Sequence, residues 1–300
     1  MTSVSKKRKK MALGKRQNLT GWFFLAPAAI LIVWMCFVPM LQALLLSFQS
    51  GQGARLSYCG LRNYSYLLKD NIFQQALRNN FLFLVVQVPI MLILALVLAT
   101  MLNNPKLRCR GLFRTAIFLP CATSLVSYSL IFRSMFAVDG FINGVLMGMG
   151  VIDTGINWIN GSALTARIVI VVALIWRWTG YNMVFYLSGL QNIDYSVYEA
   201  ARIDGASPFK QFTNITVPLL RPVILLTAIL STNGTLQLFD ESVNLTRGGP
   251  AYMTLTMSHY IYKSSFEGVP KFGYAAAMSY VIFIMVAILA FVQMKVGDKR

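Results

Sequence analysis

Charged residues are scarce in this chain, and acidic ones especially so. Only 12% of its 300 residues are charged, and Asp and Glu together number 10; a soluble globular domain carries about 25% charged residues. Hydrophobic residues make up 56% of the chain, and the mean hydropathy is +0.60. This composition excludes an ordinary soluble domain and is typical of a protein that crosses a membrane several times.

Residues that carry catalysis or bind metals are also few. The single histidine, His259, has no neighbouring Cys or carboxylate pair in the sequence, so it does not indicate a metal site. The chain contains no G-x-x-x-x-G-K-[ST] phosphate-binding loop and no G-x-S-x-G nucleophile motif. We therefore expect no catalytic residue, no metal and no cofactor bound by this chain, which argues against a membrane enzyme.

The apolar residues that are present fall into long runs. A helix needs about 20 residues to cross a membrane core of about 30 Å. Four runs meet this requirement and two are patchier, which predicts an all-α, polytopic integral membrane protein with about six transmembrane helices. The predicted spans are 22–48, 81–102, 112–136, 164–190, 219–239 and 272–294. Pro27 and Pro39 are expected to bend the first span, and helical spacing of apolar residues predicts a separate interfacial helix over 64–77.

The net charge of +17 raises the possibility of nucleic-acid binding, but its distribution favours membrane topology instead. The N-terminal tail, the connectors after the second and fourth spans, and the C-terminus hold seventeen Lys and Arg, whereas the other three loops hold nine. The positive-inside rule then predicts that both termini and the 199–212 connector are cytoplasmic. The first apolar run is too long for a signal peptide and predicts an uncleaved anchor. Cys59 alone is expected on the outer side, which excludes an intramolecular disulfide framework there.

The connector between the fourth and fifth predicted spans has its own helix signals. Ser196 and Glu199 have the spacing of a capping box, and Gly205 suits the left-handed residue that ends a helix. Ser207 and Pro208 suit the N-cap and first position of a second helix. The sequence therefore predicts two short helices outside the membrane. Helices this short are marginal in water, so their apolar residues need a surface to bury against, which could be the chain's own spans, lipid headgroups or another protein.

The same connector carries a longer spaced pattern. It reads Glu199-Ala200-Ala201, three residues, Gly205, nine residues, Ile215, one residue, Val217-Pro218. This order resembles the EAA signature of permease subunits in ATP-binding-cassette (ABC) importers, with valine where leucine is usual. The extended form YEAARIDGASP is similar to carbohydrate-uptake permeases of the maltose and glycerol-3-phosphate type. GLRNY after the first span, TRGGP after the fifth and FGYAAAMSYVIF at the start of the sixth continue the likeness.

The resemblance implies a type I ABC importer permease fold in a bacterial cytoplasmic (inner) membrane. It implies a basic cytoplasmic tail at 1–20, a permease domain at 21–300, and coupling helices at about 195–217 that dock on a cytoplasmic ATPase. The implied partners are a second related permease, two ATP-binding cassette subunits that use ATP and Mg, an extracytoplasmic solute-binding protein and a sugar. The residues implied in ATPase coupling are Glu199, Ala200, Ala201, Asp204, Gly205, Ala206 and Phe209.

Polar residues inside the fourth and fifth spans are candidates for the transport path, because polar groups are costly in the membrane. These are Arg177, Tyr181, Ser231, Asn233, Thr235 and Gln237. For each of them, hydrogen bonding between helices is the alternative. Arg177 leaves open a glycerol phosphate or polyol as substrate, since a guanidinium suits phosphate. A stand-alone secondary transporter is the other alternative, but it calls for charged coupling residues within the spans and an internal repeat.

Overall fold

The protein is described by a computed structural model covering residues 18, 20–53, 55–105 and 107–297. Almost all of the basic tail expected at 1–20 lies outside these residues. Apart from one antiparallel hairpin, the regular elements of the described part are helices. In chain order the elements are α1 Thr20–Ser47, β1 Gln49–Gln52, β2 Arg55–Tyr58, α2 Arg62–Leu67, α3 Asn71–Leu102, α4 Arg110–Ala122, α5 Leu125–Met135, α6 Phe141–Gly148, α7 Ala163–Gln191, α8 Tyr195–Ile203, α9 Pro208–Leu219, α10 Arg221–Leu236, α11 Asp240–Asn244, α12 Met257–Phe266 and α13 Phe272–Gly297.

Four helices of the described residues are long and apolar enough to span a membrane: α1, α3, α7 and α13. They coincide with four of the predicted spans. Two bent pairs, α4 with α5 and α9 with α10, also pass the same test. Counting each pair as one broken span gives six, which agrees with the predicted number.

Helix α1 lies at the edge of the bundle, and its most apolar stretch is not buried within the described residues. A wide π-helical turn, Val33–Phe37, interrupts it just before Pro39, and the Val38 N–H donates to the carbonyl five positions earlier. Proline has no N–H and its ring crowds the carbonyl four residues back, so the turn before it widens. The Tyr280 hydroxyl donates to the Met40 carbonyl at 2.5 Å and ties α1 to α13.

The outer segment differs from the prediction of a separate interfacial helix over 64–77. Helix α2 ends at Leu67, and a new helix starts at Asn71 and runs without a break into the second span. The reason is Asp70, whose carboxylate caps the new helix by accepting from the N–H groups of Ile72 at 2.9 Å and Phe73 at 3.3 Å. The second half of the predicted helix is therefore the first part of α3.

Asp70 also fixes where α3 begins relative to its neighbours. Its second carboxylate oxygen accepts from the Tyr260 hydroxyl of α12 at 2.7 Å and from the Tyr274 hydroxyl of α13. Burial, followed by the hydrogen bond to Asp70, raises the pKa of Tyr260 well above its usual range. The phenol therefore stays a donor, and one carboxylate joins three helices at this end of the bundle.

The span predicted over 112–136 is not one helix: α4 and α5 meet at 99°. The break is stabilised from α7 by Arg177. Its guanidinium donates to the carbonyls of Pro120 and Cys121 at 3.3 Å each, and to the carbonyl and hydroxyl of Thr123 at 2.9 and 3.2 Å. Carbonyls left free by a helix end need such partners in a membrane, so a donor from another helix makes the bend possible.

The span predicted over 219–239 corresponds to α10, which meets the preceding helix α9 at 70°. The bend falls at Leu220, which is 1% exposed and packs against α7 where Gly189 leaves room. Pro218 precedes the bend, and a second π-helical turn, Phe212–Thr216, lies just before that proline. The same proline effect thus widens α1 and α9, while tertiary packing at Leu220 sets the direction of α10.

Helix α7 forms the centre of the bundle, with α3 on one side and α4 on another. Small residues allow the close approach: Ala95 and Ala99 of α3 are fully buried, as is common where membrane helices pack together. A Cβ on Gly180 of α7 would lie 1.9 Å from the carbonyl oxygen of Ile117 in α4. Glycine is therefore required at this helix crossing.

Candidate functional site

The first candidate site is the connector α8–α9, whose first helix has its N-cap two residues earlier than predicted. Asp194, rather than Ser196, is the N-cap of α8, and its carboxylate accepts from the Ser196 N–H at 3.0 Å. This hydrogen bond lowers the pKa of Asp194. The predicted capping box of Ser196 and Glu199 is wrong, because α8 starts at Tyr195 and places Ser196 inside the helix. Glu199 is exposed, and its carboxylate makes no hydrogen bond or ion pair with the described residues.

The turn between the two helices agrees with the prediction. Gly205 has a φ of +75°. The Ala206 N–H donates to the Ala201 carbonyl at 2.8 Å, and the Gly205 N–H donates to the Arg202 carbonyl at 3.0 Å, which is the Schellman arrangement. Ser207 then caps α9 by accepting from the N–H three residues further on at 3.3 Å. The backbone groups at the end of α8 and the start of α9 make their hydrogen bonds within the connector, so the turn has a defined shape.

Side chains join the two short helices into one unit. The hydroxyls of Tyr198 in α8 and Thr216 in α9 lie 3.0 Å apart and share a hydrogen bond. The Gln211 amide donates to the Ala206 carbonyl at 2.8 Å. The α8–α9 connector, called the coupling hairpin below, is therefore fixed by contacts between its own helices.

The outer surface of the coupling hairpin combines apolar and small residues. Ile203 is 87% exposed and Phe209 is 75% exposed. Among the residues predicted for ATPase coupling, the exposed ones are Glu199, Ala200, Asp204, Gly205 and Phe209, and the half-buried ones are Ala201 and Ala206. Large apolar side chains left open on a polar connector are typical of a protein interaction surface.

The second candidate site is a cavity of about 310 Å³ between α3, α7 and α10, called the polar cavity below. Its polar groups come in pairs from different helices. The Thr235 hydroxyl donates to the Gln87 side-chain oxygen at 3.0 Å, and the Ser231 hydroxyl donates to that of Asn182 at 3.4 Å. The aromatic side chain of Trp178 also lines the cavity. Hydroxyls and amides beside flat aromatic rings are suited to a sugar.

Most of the residues predicted for the transport path meet at this cavity. Those that line it are Tyr181, Ser231, Thr235 and Gln237. Asn233 is exposed and accepts a hydrogen bond from the Gln237 amide. Arg177 does not line the cavity: it is 4% exposed, its guanidinium carbon lies 4.6 Å from the centre of the Tyr128 ring, and its donors bind the α4–α5 bend. A direct role for Asn233 and Arg177 in the path stays a prediction.

Four further polar residues line the cavity and were not among the predicted path residues. They are Gln87, Asn182, Asp240 and Glu241. Gln87 is a single polar residue within a long apolar run, a costly placement that could have indicated function. Glu241 is 3% exposed and accepts from the Tyr128 hydroxyl, and burial raises the pKa of its carboxyl. Its burial depends on the fold of the segment after α10, which the sequence does not reveal.

Comparison with known proteins gives consistent matches. The family model described as "Binding-protein-dependent transport system inner membrane component" matches residues 91–298. The chain is 52% identical to the lactose transport system permease protein LacF of Rhizobium radiobacter, over 96% of this chain and 97% of that protein. It is 31% identical to the arabinooligosaccharides transport system permease protein AraP of Halalkalibacterium halodurans, covering 93% and 87% of the two chains.

A solved structure shows the same fold. It is a bacterial ABC transporter involved in the import of the acidic polysaccharide alginate, with a TM-score of 0.85 and 19% identity. The match covers 97% of this chain and 99% of the other. At this identity the likeness concerns the arrangement of helices and says nothing about substrate.

Proposed function

Because the chain belongs to the family of binding-protein-dependent transport system inner membrane components, we propose that it forms half of the translocation path of an ATP-driven importer for a neutral di- or oligosaccharide. The chain is a non-catalytic permease subunit of an ABC transporter. The observation that carries the substrate class is the polar cavity, taken together with 52% identity to a lactose permease over nearly the whole chain. Lactose is therefore the first sugar to test.

The cavity lining favours a neutral sugar over a glycerol phosphate. Arg177 lies near the middle of α7 and could have recognised phosphate, but its guanidinium binds backbone carbonyls of the α4–α5 bend. The acidic residues Asp240 and Glu241 line the cavity instead, and an ionised Asp240 carboxylate would repel a phosphate. Hydroxyls and amides that both donate and accept fit sugar hydroxyls.

A second, related permease completes the path in this proposal. The cavity is open on one side, where Asn233 and Gln237 are exposed next to it. Polar side chains facing lipid are costly, whereas a partner helix would cover them. The most apolar stretch of α1 is likewise unburied in the single chain, which leaves ample surface for a partner.

In this proposal, the coupling hairpin couples ATP hydrolysis by the partner subunits to transport along the path. The hairpin docks on one of two cytoplasmic ATPase subunits, which bind the ATP and Mg, and an extracytoplasmic solute-binding protein delivers the sugar at the opposite end. Both termini are cytoplasmic. Support comes from the exposed Ile203 and Phe209 and from the matched spacing of the EAA signature.

Reconstitution tests the proposal. The chain, its partner permease and ATPase subunits, and the purified binding protein are placed in lipid vesicles that contain ATP. Uptake of labelled lactose is compared with that of glycerol-3-phosphate. We expect lactose or a related oligosaccharide to accumulate only with ATP and the binding protein. The purified chain alone should bind no nucleotide. Accumulation driven by a proton gradient without the ATPase would instead favour a secondary transporter, and preference for glycerol-3-phosphate would reject a neutral sugar.

A further inference from the structure

A second cavity, of about 470 Å³, lies beside the polar cavity and has a different character. The end of α5, the segment around α11 and helix α12 enclose it. Its charged lining residues are Arg133, Arg247, Lys263 and Glu267. This pocket, called the basic cavity below, belongs to the part of the chain for which the charge distribution predicts an outer location.

The positive charges of the basic cavity are mostly unpaired. Lys263 and Glu267 form an ion pair at 3.5 Å. The guanidinium groups of Arg133 and Arg247 make no hydrogen bond or ion pair with any residue that the structure describes. Arg133 is half-buried and Arg247 is exposed at this pocket, and each guanidinium carries five N–H donors and no acceptor. The pocket is therefore suited to an anion.

The backbone holds Arg247 at this pocket in an uncommon conformation. Its φ is +54°, a region that residues other than glycine seldom adopt and that is frequent at functional sites. Hydrogen bonds on both sides keep the turn in place. The hydroxyls of Thr246 and Thr254 lie 2.7 Å apart, and the Gly248 N–H donates to the Ser242 carbonyl at 2.9 Å. Arg247 is thus presented by a fixed turn.

The short helix α11 separates the basic cavity from the polar cavity. Asp240 and Glu241 line the polar cavity, whereas Val243 and Asn244 line the basic one. Between them, the Ser242 hydroxyl donates to the Thr254 carbonyl at 2.9 Å and lies 2.8 Å from a ring nitrogen of His259. A group bound in the basic cavity would therefore touch the helix that borders the transport path.

We propose that the basic cavity receives a carboxylate side chain of the extracytoplasmic binding protein. This inference rests on the proposed function, in which that protein delivers sugar at this end of the path. Guanidinium groups bind carboxylates through paired, charge-assisted hydrogen bonds. The position of α11 between the two cavities favours a docking protein over a lipid headgroup, because the docked group would then lie next to the place where sugar enters.

The test uses the complete transporter in vesicles of neutral lipid. ATPase activity is measured against the concentration of sugar-loaded binding protein for the wild type, Arg133→Gln and Arg247→Gln. We expect each substitution to raise the half-stimulating concentration about tenfold or more, with basal activity and maximal stimulated activity unchanged. Arg247→Lys, which keeps the charge, should restore part of the loss. Added NaCl should weaken stimulation of the wild type more than that of Arg247→Gln.

Arg62→Gln is the matched control, since Arg62 is an exposed arginine of α2 that does not line the cavity. It should leave the half-stimulating concentration within twofold of wild type. Equal purification yields and melting temperatures of the complexes show that the variants fold. With a wild type that responds to the binding protein, unchanged stimulation of both cavity variants would overturn this inference alone.

Two other results would assign the cavity to a different anion and also overturn the inference. One is a change in the sugar concentration needed to stimulate ATPase activity, with the half-stimulating concentration of binding protein unchanged. The other is a difference in stimulated ATPase activity between wild type and variants that is seen only when anionic lipid is added to the vesicles. A wild-type complex that the binding protein does not stimulate at all would refute the proposed function as well.

Discussion

Replacing Gly205 with aspartate tests separately its left-handed backbone and its proposed place on the surface that docks on the ATPase. The coupling hairpin itself should survive the change. A Cβ at position 205 would have no heavy atom within 4 Å, so the new side chain meets no clash within the chain. The left-handed conformation costs a residue with a Cβ about 1–2 kcal/mol, and the hairpin retains its other contacts, such as the hydrogen bond between Tyr198 and Thr216.

Gly205→Asp should weaken docking of the ATPase subunit much more than it destabilises the hairpin. Burying an unpaired charge at an interface costs about 3–5 kcal/mol, and each 1.4 kcal/mol corresponds to about a tenfold change in affinity. Gly205→Asp should therefore weaken binding of the ATPase subunit by roughly 10²- to 4 × 10³-fold. The exposed carboxylate of the preceding residue, Asp204, adds repulsion in the same place.

Gly205→Asn is the matched control, because asparagine has nearly the shape of aspartate without the charge and tolerates the left-handed region. Three quantities are measured for both variants: permease in the membrane fraction, ATPase that co-purifies with it, and sugar uptake. We expect normal membrane amounts for both. Binding and uptake should be nearly lost with aspartate and reduced much less with asparagine.

The outcome that contradicts the reasoning is normal co-purification and uptake with aspartate at position 205. The exposed surface around Ile203 and Phe209 would then need another explanation, such as contact with lipid headgroups. If asparagine were as damaging as aspartate, the crowding of any side chain, rather than its charge, would be the cause.

Three other predictions follow from the fold. Ser231→Leu should lower sugar uptake severalfold with the complex still assembled, whereas Ser231→Ala should not; loss of assembly would instead indicate a packing role. An impermeant thiol reagent added from outside should label Cys59 and not Cys109, and the reverse pattern would invert the topology. Gly180→Ala places a Cβ 1.9 Å from a backbone oxygen of α4 and should destabilise the purified chain by about 1–3 kcal/mol, seen as a lower melting temperature. Gly144→Ala, with no atom within 4 Å of its Cβ, is the control and should have little effect.

The straight spans could be predicted from the sequence because each is a long apolar run that the membrane itself selects. The two bent spans could not. At the α4–α5 bend, the acceptors near Thr123 are satisfied by Arg177, 54 residues further along the chain. No local pattern reveals a donor at that distance, and an arginine within a span indicates function as readily as it indicates structure.

The candidate site could be predicted only where it depends on local helix geometry and not on packing between distant helices. Ser231 and Thr235 share one face of a helix at i and i+4, so their common orientation follows from helix geometry alone. Their partners, Asn182 and Gln87, come from other helices, and the pairing depends on how those helices pack. At the coupling hairpin, Gly205 and Ser207 were correctly interpreted, whereas the capping box was wrong because two residues, Asp194 and Ser196, both suit an N-cap.

The bend at Leu220 gives α10 a point about which the helix can tilt as a rigid rod. Its pivot is buried against α7, with the coupling hairpin on one side and the polar cavity on the other. At about 1.5 Å per residue, Ser231 lies roughly 16 Å from the pivot and Thr235 roughly 22 Å. A tilt of about 10° at Leu220 would thus move these hydroxyls by about 3–4 Å, whereas hydrogen-bond lengths vary by only about 0.5 Å. If sugar binds to these hydroxyls as proposed, a small rotation of the hairpin would be enough to break the hydrogen bonds from α10 to it, so binding and release would need no large rearrangement of the bundle.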